Sequence, residues 1–137
     1  HGQVEIVTGS PGGSRIIGYT AQSIFNMIEF DLDPQQAINV PHYMNRNGRT
    51  DLEQPIPGIT LSYDATALAA ELKARGHSDP STQLQARQVG IIAQASGLSI
   101  IKVEQRSHNQ SLRYFFKPSK MLIGGADKRR DGSVGGR

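Results

Sequence analysis

The run Val4-Glu5-Ile6-Val7-Thr8-Gly9-Ser10-Pro11-Gly12-Gly13-Ser14-Arg15-Ile16-Ile17 decides the fold around it. Val4, Ile6 and Thr8 alternate with Glu5 and Val7, the period of two that sends successive side chains to opposite faces of a strand. Gly9 to Gly13 breaks that pattern abruptly, as a tight turn does. From Ser14 the spacing becomes helical. Ile17, Ala21, Ile24 and Ile28 share one face, Phe25 and Leu32 lie beside it, and Ser14 is placed as an N-cap, so one amphipathic helix is expected over roughly 14–30.

A glycine-rich turn between a strand and a helix has a definite chemical capacity. Successive backbone N–H groups near a helix N-terminus can converge on a negatively charged atom. Glycine opens backbone angles closed to other residues and lets a ligand approach the main chain with no Cβ in the way. Both nucleotide fingerprints fail here, since the turn has neither a Gly-Lys-Ser/Thr ending nor a Gly-x-Gly-x-x-Gly spacing. Taken alone, such a turn is more often structural than functional.

Working outward, Asp33-Pro34 reads as a second N-cap with proline in the first helical position, opening a short helix that Pro41 stops. Residues 42–60 carry Asn45, Asn47, Gly48, Pro55, Pro57 and Gly58 with little periodicity, and are expected to form a long surface connection with at most short extended pieces. Asp64 can cap a helix with Leu68 and Leu72 four apart, ending near Arg75 with Gly76 as its C′ residue. Residues 78–87 are polar. Val89 to Ala93 and Leu98 to Val103 are β-branched runs separated by Gln94 to Gly97, a plausible hairpin. Residues 105–120 surround Tyr114-Phe115-Phe116 and have no clear assignment. Met121-Leu122-Ile123 suits a last short strand before a glycine-rich loop or tail from Gly124. No repeat recurs, and the order β-α-α-loop-α-β-β-β lacks regular βαβ alternation, so the fold class expected is α+β.

The 137 residues are enough for one domain or part of one. No apolar run approaches the ~18 residues of a membrane span. Cysteine is absent, which excludes disulfides and thiolate chemistry but not any compartment. Residues 1–101 hold 6 basic and 9 acidic groups, whereas residues 102–137 hold 9 and 3, so the basic character belongs to the last quarter. The opening His1, in place of a methionine, reads as a piece of a longer precursor.

GSPGGSRII (Gly9 to Ile17), FDLDPQQAINVPHYMNRNG (Phe30 to Gly48), LKARGH (Leu72 to His77), SGLSIIKV (Ser96 to Val103) and LIGGADKRRDGSVGG (Leu122 to Gly136) come in that order. Together they resemble the C-terminal part of the small subunit of γ-glutamyltransferases, also called glutathione hydrolases, which are N-terminal-nucleophile hydrolases. The resemblance implies that residues 1–137 are a single partial domain, contributing to a four-layer αββα sandwich. It also implies a self-cleaving zymogen whose new N-terminal threonine attacks the γ-glutamyl amide, its own α-amine serving as base. That threonine and the residues reading the γ-glutamyl head group fall upstream of this sequence, so the 137 residues alone are expected to be inactive. On the same resemblance the backbone N–H groups of Gly12 and Gly13 form the oxyanion hole, and no cofactor or metal is called for. The partners it implies are the large subunit, the N-terminal part of the small subunit, a γ-glutamyl donor such as glutathione, and water or an amino-acid or peptide acceptor. A periplasmic, extracellular or membrane-associated location is likewise an implication of the family.

Blander readings stand beside these. His1, His42, His77 and His108 are too scattered for a ligand set and are taken as surface or packing residues. Asp127, Lys128, Arg129, Arg130 and Asp131 suit local ion pairs, each worth ~0–1 kcal/mol, better than a nucleic-acid face. The aromatic knot at 114–116 fits a core-facing pair better than base stacking. A non-catalytic structural or interaction module on the same scaffold, and an anion-binding module using the glycine turn and basic tail, are the alternative functions.

Overall fold

The computed structural model describes residues 2–11, 13–46, 48–77, 88–106 and 119–135. The chain runs from β1 (Ile6–Gly9) through a single 3-10 turn (Gly13–Arg15) into α1 (Ile16–Glu29), then α2 (Pro34–Asn39), β2 (Tyr43–Met44), β3 (Thr50–Glu53) and α3 (Ala65–Leu72). Three further strands follow, β4 (Val89–Ile92), β5 (Ser99–Arg106) and β6 (Ser119–Ala126), and a 3-10 turn at Lys128–Arg130. The α+β class expected from the sequence holds.

Among the described residues two three-stranded sheets result. In the first, β5 lies between β1 and β6 and is antiparallel to both, with Ile6 opposite Lys102 and Ile100 opposite Gly125. In the second, β3 lies between β2, antiparallel to it, and β4, parallel to it, with Asp51 opposite Met44 and Gly90. The two β-branched runs near residues 89 and 100 are therefore strands, as expected, but not a hairpin. They join different sheets, because Gln94 to Leu98 crosses from one to the other instead of turning back.

Local signals fix the helix starts. Asp33 accepts from the Gln36 amide at 2.8 Å while the Gln36 side chain accepts from the Asp33 amide at 3.1 Å, a reciprocal capping box with Pro34 in the first turn. Asp64 caps α3 through the Ala67 amide at 2.9 Å. Past Leu72 one wider turn leads to Gly76, whose φ of +87° is the left-handed angle that ends helices at glycine. Ser14 does not cap α1. It sits inside the 3-10 turn, Arg15 takes the cap position without a side-chain cap bond, and the Ser14 hydroxyl accepts from Arg46 instead.

The buried side of α1 also differs from its apolar stripe. Tyr19, Ser23, Asn26 and Met27 face inward, while Ile17, Ala21, Phe25 and Ile28 are exposed and Ile24 is half-buried. Tyr19 and Met27 join Ala37, Ile38, Met44, Leu98 and Ile100 in the core, with Ile6 and Leu32 packed against it. α1 and α2 lie together, α2 against β5 and β6 and α1 against β1, whereas α3 rests on β3 and β4. α2 approaches β6 so closely that a Cβ on Gly125 would stand 2.7 Å from the Pro34 carbonyl carbon.

Two further expectations change. Residues 42–60 are not only a surface connection, since β3 is buried along its whole length despite Asp51 and Glu53. The last strand is longer than Met121 to Ile123 and runs through Gly124 and Gly125 to Ala126. Residues 78–87, the aromatic knot at 114–116, His1, His108 and Gly12 lie outside the described residues.

Candidate active site

The glycine turn is held from below. The Ser10 hydroxyl accepts from the Gly97 amide at 3.1 Å and donates to the Pro11 carbonyl at 2.7 Å. A Cβ on Gly97 would meet Pro11 Cγ at 2.8 Å, so only glycine lets the crossing segment pass under the turn. Gly13 has φ +60°, and a Cβ built there meets nothing within 4 Å among the described residues. Its side of the turn is therefore open, and the demand for glycine comes from the backbone angle. Of the two glycines assigned as oxyanion donors on the resemblance, the structure describes Gly13 alone.

Below the turn lies a buried polar network that joins both sheets. Arg129 Nε contacts Glu53 Oε1 at 2.6 Å and its terminal nitrogen contacts Oε2 at 2.8 Å, with the Arg129 side chain 1% and the Glu53 side chain 0% exposed. Glu53 Oε2 also accepts from the His42 amide at 2.8 Å. Arg129 donates onward to the Ile38 carbonyl at 2.9 Å and to Asp127 Oδ1 at 3.2 Å. Asp127 accepts from the Ser96 hydroxyl and from the Leu98 amide, and Ser96 Oγ lies 2.8 Å from His42 Nε2. His42 in turn packs against Tyr19 of α1, with ring centroids 4.5 Å apart and the planes tilted by 39°. Because Ser96 precedes Gly97, this network is the foundation on which the turn rests.

Electrostatics follow from burial. Burial first, and then Arg129, push His42 down to about 3 against the pull of Asp127, so its ring is neutral at neutral pH. Burial would raise the Asp127 carboxyl, but the Ser96 hydroxyl and the Arg129 amide and charge outweigh it and hold it below the usual range. Asp127 is thus ionised and accepts the one hydrogen bond the Ser96 hydroxyl can donate, which leaves His42 Nε2 as an N–H donor to Ser96. Serine, histidine and aspartate meet here, yet not as a catalytic triad: the serine proton points to the acid, His42 has no free base nitrogen toward it, and Ser96 is fully buried. Asp127 and Arg129 do form the local ion pair expected from their sequence, but it is buried and joined to Glu53, and His42 is a packing histidine of the network.

Beside the turn, Arg15 contacts Asp51 Oδ2 at 2.8 Å and Arg49 contacts Oδ1 at 2.6 Å. Burial works to raise the Asp51 carboxyl, and the hydrogen bonds from Arg15 and Arg49 outweigh it and lower it. Gln94 links this cluster to the deeper one, its side chain donating to the His42 carbonyl at 3.3 Å and accepting from Arg15 at 3.4 Å. Sequence reading missed Asp51, Glu53, Arg46 and Arg49; the available signal was two acids flanking Leu52 in a strand-length segment. Among the described residues no group of three or more His, Asp or Glu is placed to hold a metal ion.

This mixture of helices and two sheets has the fold of solved γ-glutamyltranspeptidases, which are N-terminal-nucleophile hydrolases. The chain belongs to the γ-glutamyltranspeptidase family, whose profile matches residues 1–136. Its likeness to the crystal structure of the Helicobacter pylori γ-glutamyltranspeptidase T380A mutant has a TM-score of 0.63 at 20% identity, over 93% of this chain and 55% of that one. It is 45% identical over 42 residues to the glutathione hydrolase proenzyme of Escherichia coli K12, which is 31% of this chain and 7% of that protein. It is also 33% identical over 76 residues to the acylase ACY 1 proenzyme of Pseudomonas sp. SE83, 56% of this chain and 12% of that protein. The chain thus spans about half of the solved relative, and the matched stretches are a small part of the curated ones.

Proposed function

We propose that this chain is the C-terminal part of a γ-glutamyl amide-cleaving enzyme and supplies its oxyanion turn. The nucleophile is an N-terminal threonine of a preceding segment, freed by self-cleavage, with its α-amine as base. Attack puts negative charge on the amide carbonyl oxygen, and the Gly12 and Gly13 amides donate to it as that charge develops. The acyl-enzyme then passes to water or to an acceptor amine. The rest of the γ-glutamyltransferase reads the head group, and the assembled enzyme works in the periplasm, outside the cell or in association with a membrane.

The observation that carries this reading is Gly13, left-handed, open on its outer side and at the start of a helix in a chain of this family. The buried network supports it by fixing the turn through Ser96 and Gly97. A second reading, cleavage of a different amide, is favoured by the 76-residue match to an acylase proenzyme. Assaying the full-length protein with a chromogenic γ-glutamyl anilide separates the two. Turnover by the full-length protein and none by the 137 residues alone is expected; a processed, folded full-length protein that leaves the anilide intact overturns the γ-glutamyl assignment.

A further inference from the structure

A cavity of about 620 Å³ opens beside the glycine turn, lined by Arg15, Arg46, Arg49, Asp51 and Gln88 among others. It contains three guanidinium groups and, among its described lining residues, one carboxylate. Asp51 is shared between two of them, Arg15 on one oxygen and Arg49 on the other. Arg46 donates to the neutral hydroxyl of Ser14. Three like charges held together in one concavity favour an anion among them, and planar guanidinium forks match a carboxylate in two parallel bonds. No aromatic side chain lines the cavity among the described residues, so it offers no platform for a nucleotide base. Its volume is in the range of small-molecule sites.

Position narrows the choice. The stretch Gly13–Arg15 borders both features: Gly13 belongs to the oxyanion turn, Ser14 holds Arg46, and Arg15 lines the cavity. We propose that this arginine cavity binds the terminal carboxylate of the amine half of the substrate, the peptide that leaves when the γ-glutamyl amide is cleaved. An acceptor peptide attacks along the reverse path, so the same cavity takes its carboxylate. The proposal rests on the γ-glutamyl reading for the identity of the substrate and adds to it the group that selects the leaving and accepting peptide.

Calorimetric titration of the full-length protein with cysteinylglycine, the amine half of glutathione, and with its C-terminal amide tests this directly. The free acid is expected to bind at least about tenfold more tightly than the amide, the scale of one charge-assisted hydrogen bond. Arg46→Ala, an exposed residue, is expected to weaken the acid by about the same factor and leave the amide unchanged, and Arg46→Lys to restore part of the loss. Gly90→Ala serves as a second variant, since its Cβ would stand 3.0 Å from Arg49 Nε and displace that side chain without removing its charge. Equal binding of acid and amide, or acid binding indifferent to both variants, overturns the proposal. Inorganic phosphate binding as tightly as the dipeptide also overturns it, making the cavity a general anion trap. Because binding is read without turnover, a protein that binds the acid through Arg46 but leaves the anilide intact refutes the reaction and not the subsite.

Discussion

Arg129 and Glu53, 76 positions apart, meet in a two-point fork with contacts of 2.6 and 2.8 Å and are both sealed from water. The guanidinium spends its other donors on Asp127 and on the carbonyls of Ile38 and Val40, so neither charge of the pair lacks a partner. This one contact ties the segment after β6 to the central strand of the other sheet and to the end of α2.

Removing one partner leaves the other charged and buried. Arg129→Met is expected to cost about 3–5 kcal/mol in stability, the scale of breaking a buried ion pair. Replacing both residues, Arg129→Met with Glu53→Leu, is expected to cost clearly less than the sum of the single losses, because the uncompensated charge disappears with its partner. Urea unfolding of the single and double variants measures the coupling. Additive losses would mean that the pair contributes only by packing.

His42 makes the fold acid-sensitive. Its folded value of about 3 lies below the ordinary 6.5, so the unfolded chain takes up the proton first. The contribution is complete above pH 6.5 and falls by about 1.4 kcal/mol per pH unit as the pH drops toward 3. Asp127, lowered from 3.8, adds a loss in the same direction below that value. His42→Gln keeps a donor toward Ser96 and has no proton to gain, so its unfolding free energy is expected to be flatter between pH 6.5 and 4. Parallel slopes for the two proteins would remove His42 as the cause.

Gly13 separates backbone geometry from space. A Cβ there meets no neighbour among the described residues, so the penalty of a side chain comes from φ +60°. Asparagine tolerates that angle and valine resists it. In the full-length protein, Gly13→Val is expected to lower kcat by ~10²-fold or more with a smaller change in KM, as loss of an oxyanion donor does, while Gly13→Asn keeps much more of the rate. Processing of the precursor is checked by gel first. A processed Gly13→Val protein with kcat within about twofold, ~0.4 kcal/mol, would return the turn to a structural role.

Gly125 is where strand and helix backbones touch. An alanine Cβ would stand 2.7 and 2.8 Å from the carbonyl carbon and oxygen of Pro34, neither of which can swing aside as a side chain does. Gly125→Ala is expected to lower stability by about 1–3 kcal/mol, the range for overpacking. Gly124→Ala would meet the exposed side chain of Val134 at 2.7 Å, which can move, and is expected to cost less. Comparing their thermal midpoints tests the ordering, and equal losses would place the constraint elsewhere.

Short-range physics is what the amino-acid order made legible. The strand, glycine turn and helix of the opening run were legible, as were the Asp33 and Asp64 caps, the end of α3 at Gly76 and the strands near residues 90 and 100. Each depends on groups within a few positions: a cap oxygen and an amide three residues on, or a glycine able to take a positive φ. The glycine turn was found the same way, and the role proposed for it came from the family resemblance rather than from spacing.

Which groups are buried was settled by long-range packing. The apolar stripe of α1 is a fair helix signal, yet the core took Tyr19, Ser23, Asn26 and Met27, because Tyr19 packs on His42 and Met27 on the core residues of α2 and the sheets. Thr50-Asp51-Leu52-Glu53 has the charge of a surface segment and lies inside, since Arg15, Arg49 and Arg129 come to it from 36, 2 and 76 positions away. The choice of partners for β4 and β5 was equally hidden. A buried charge is tolerated only where its partner arrives, and no local window contains a partner that the fold brings from the far end of the chain.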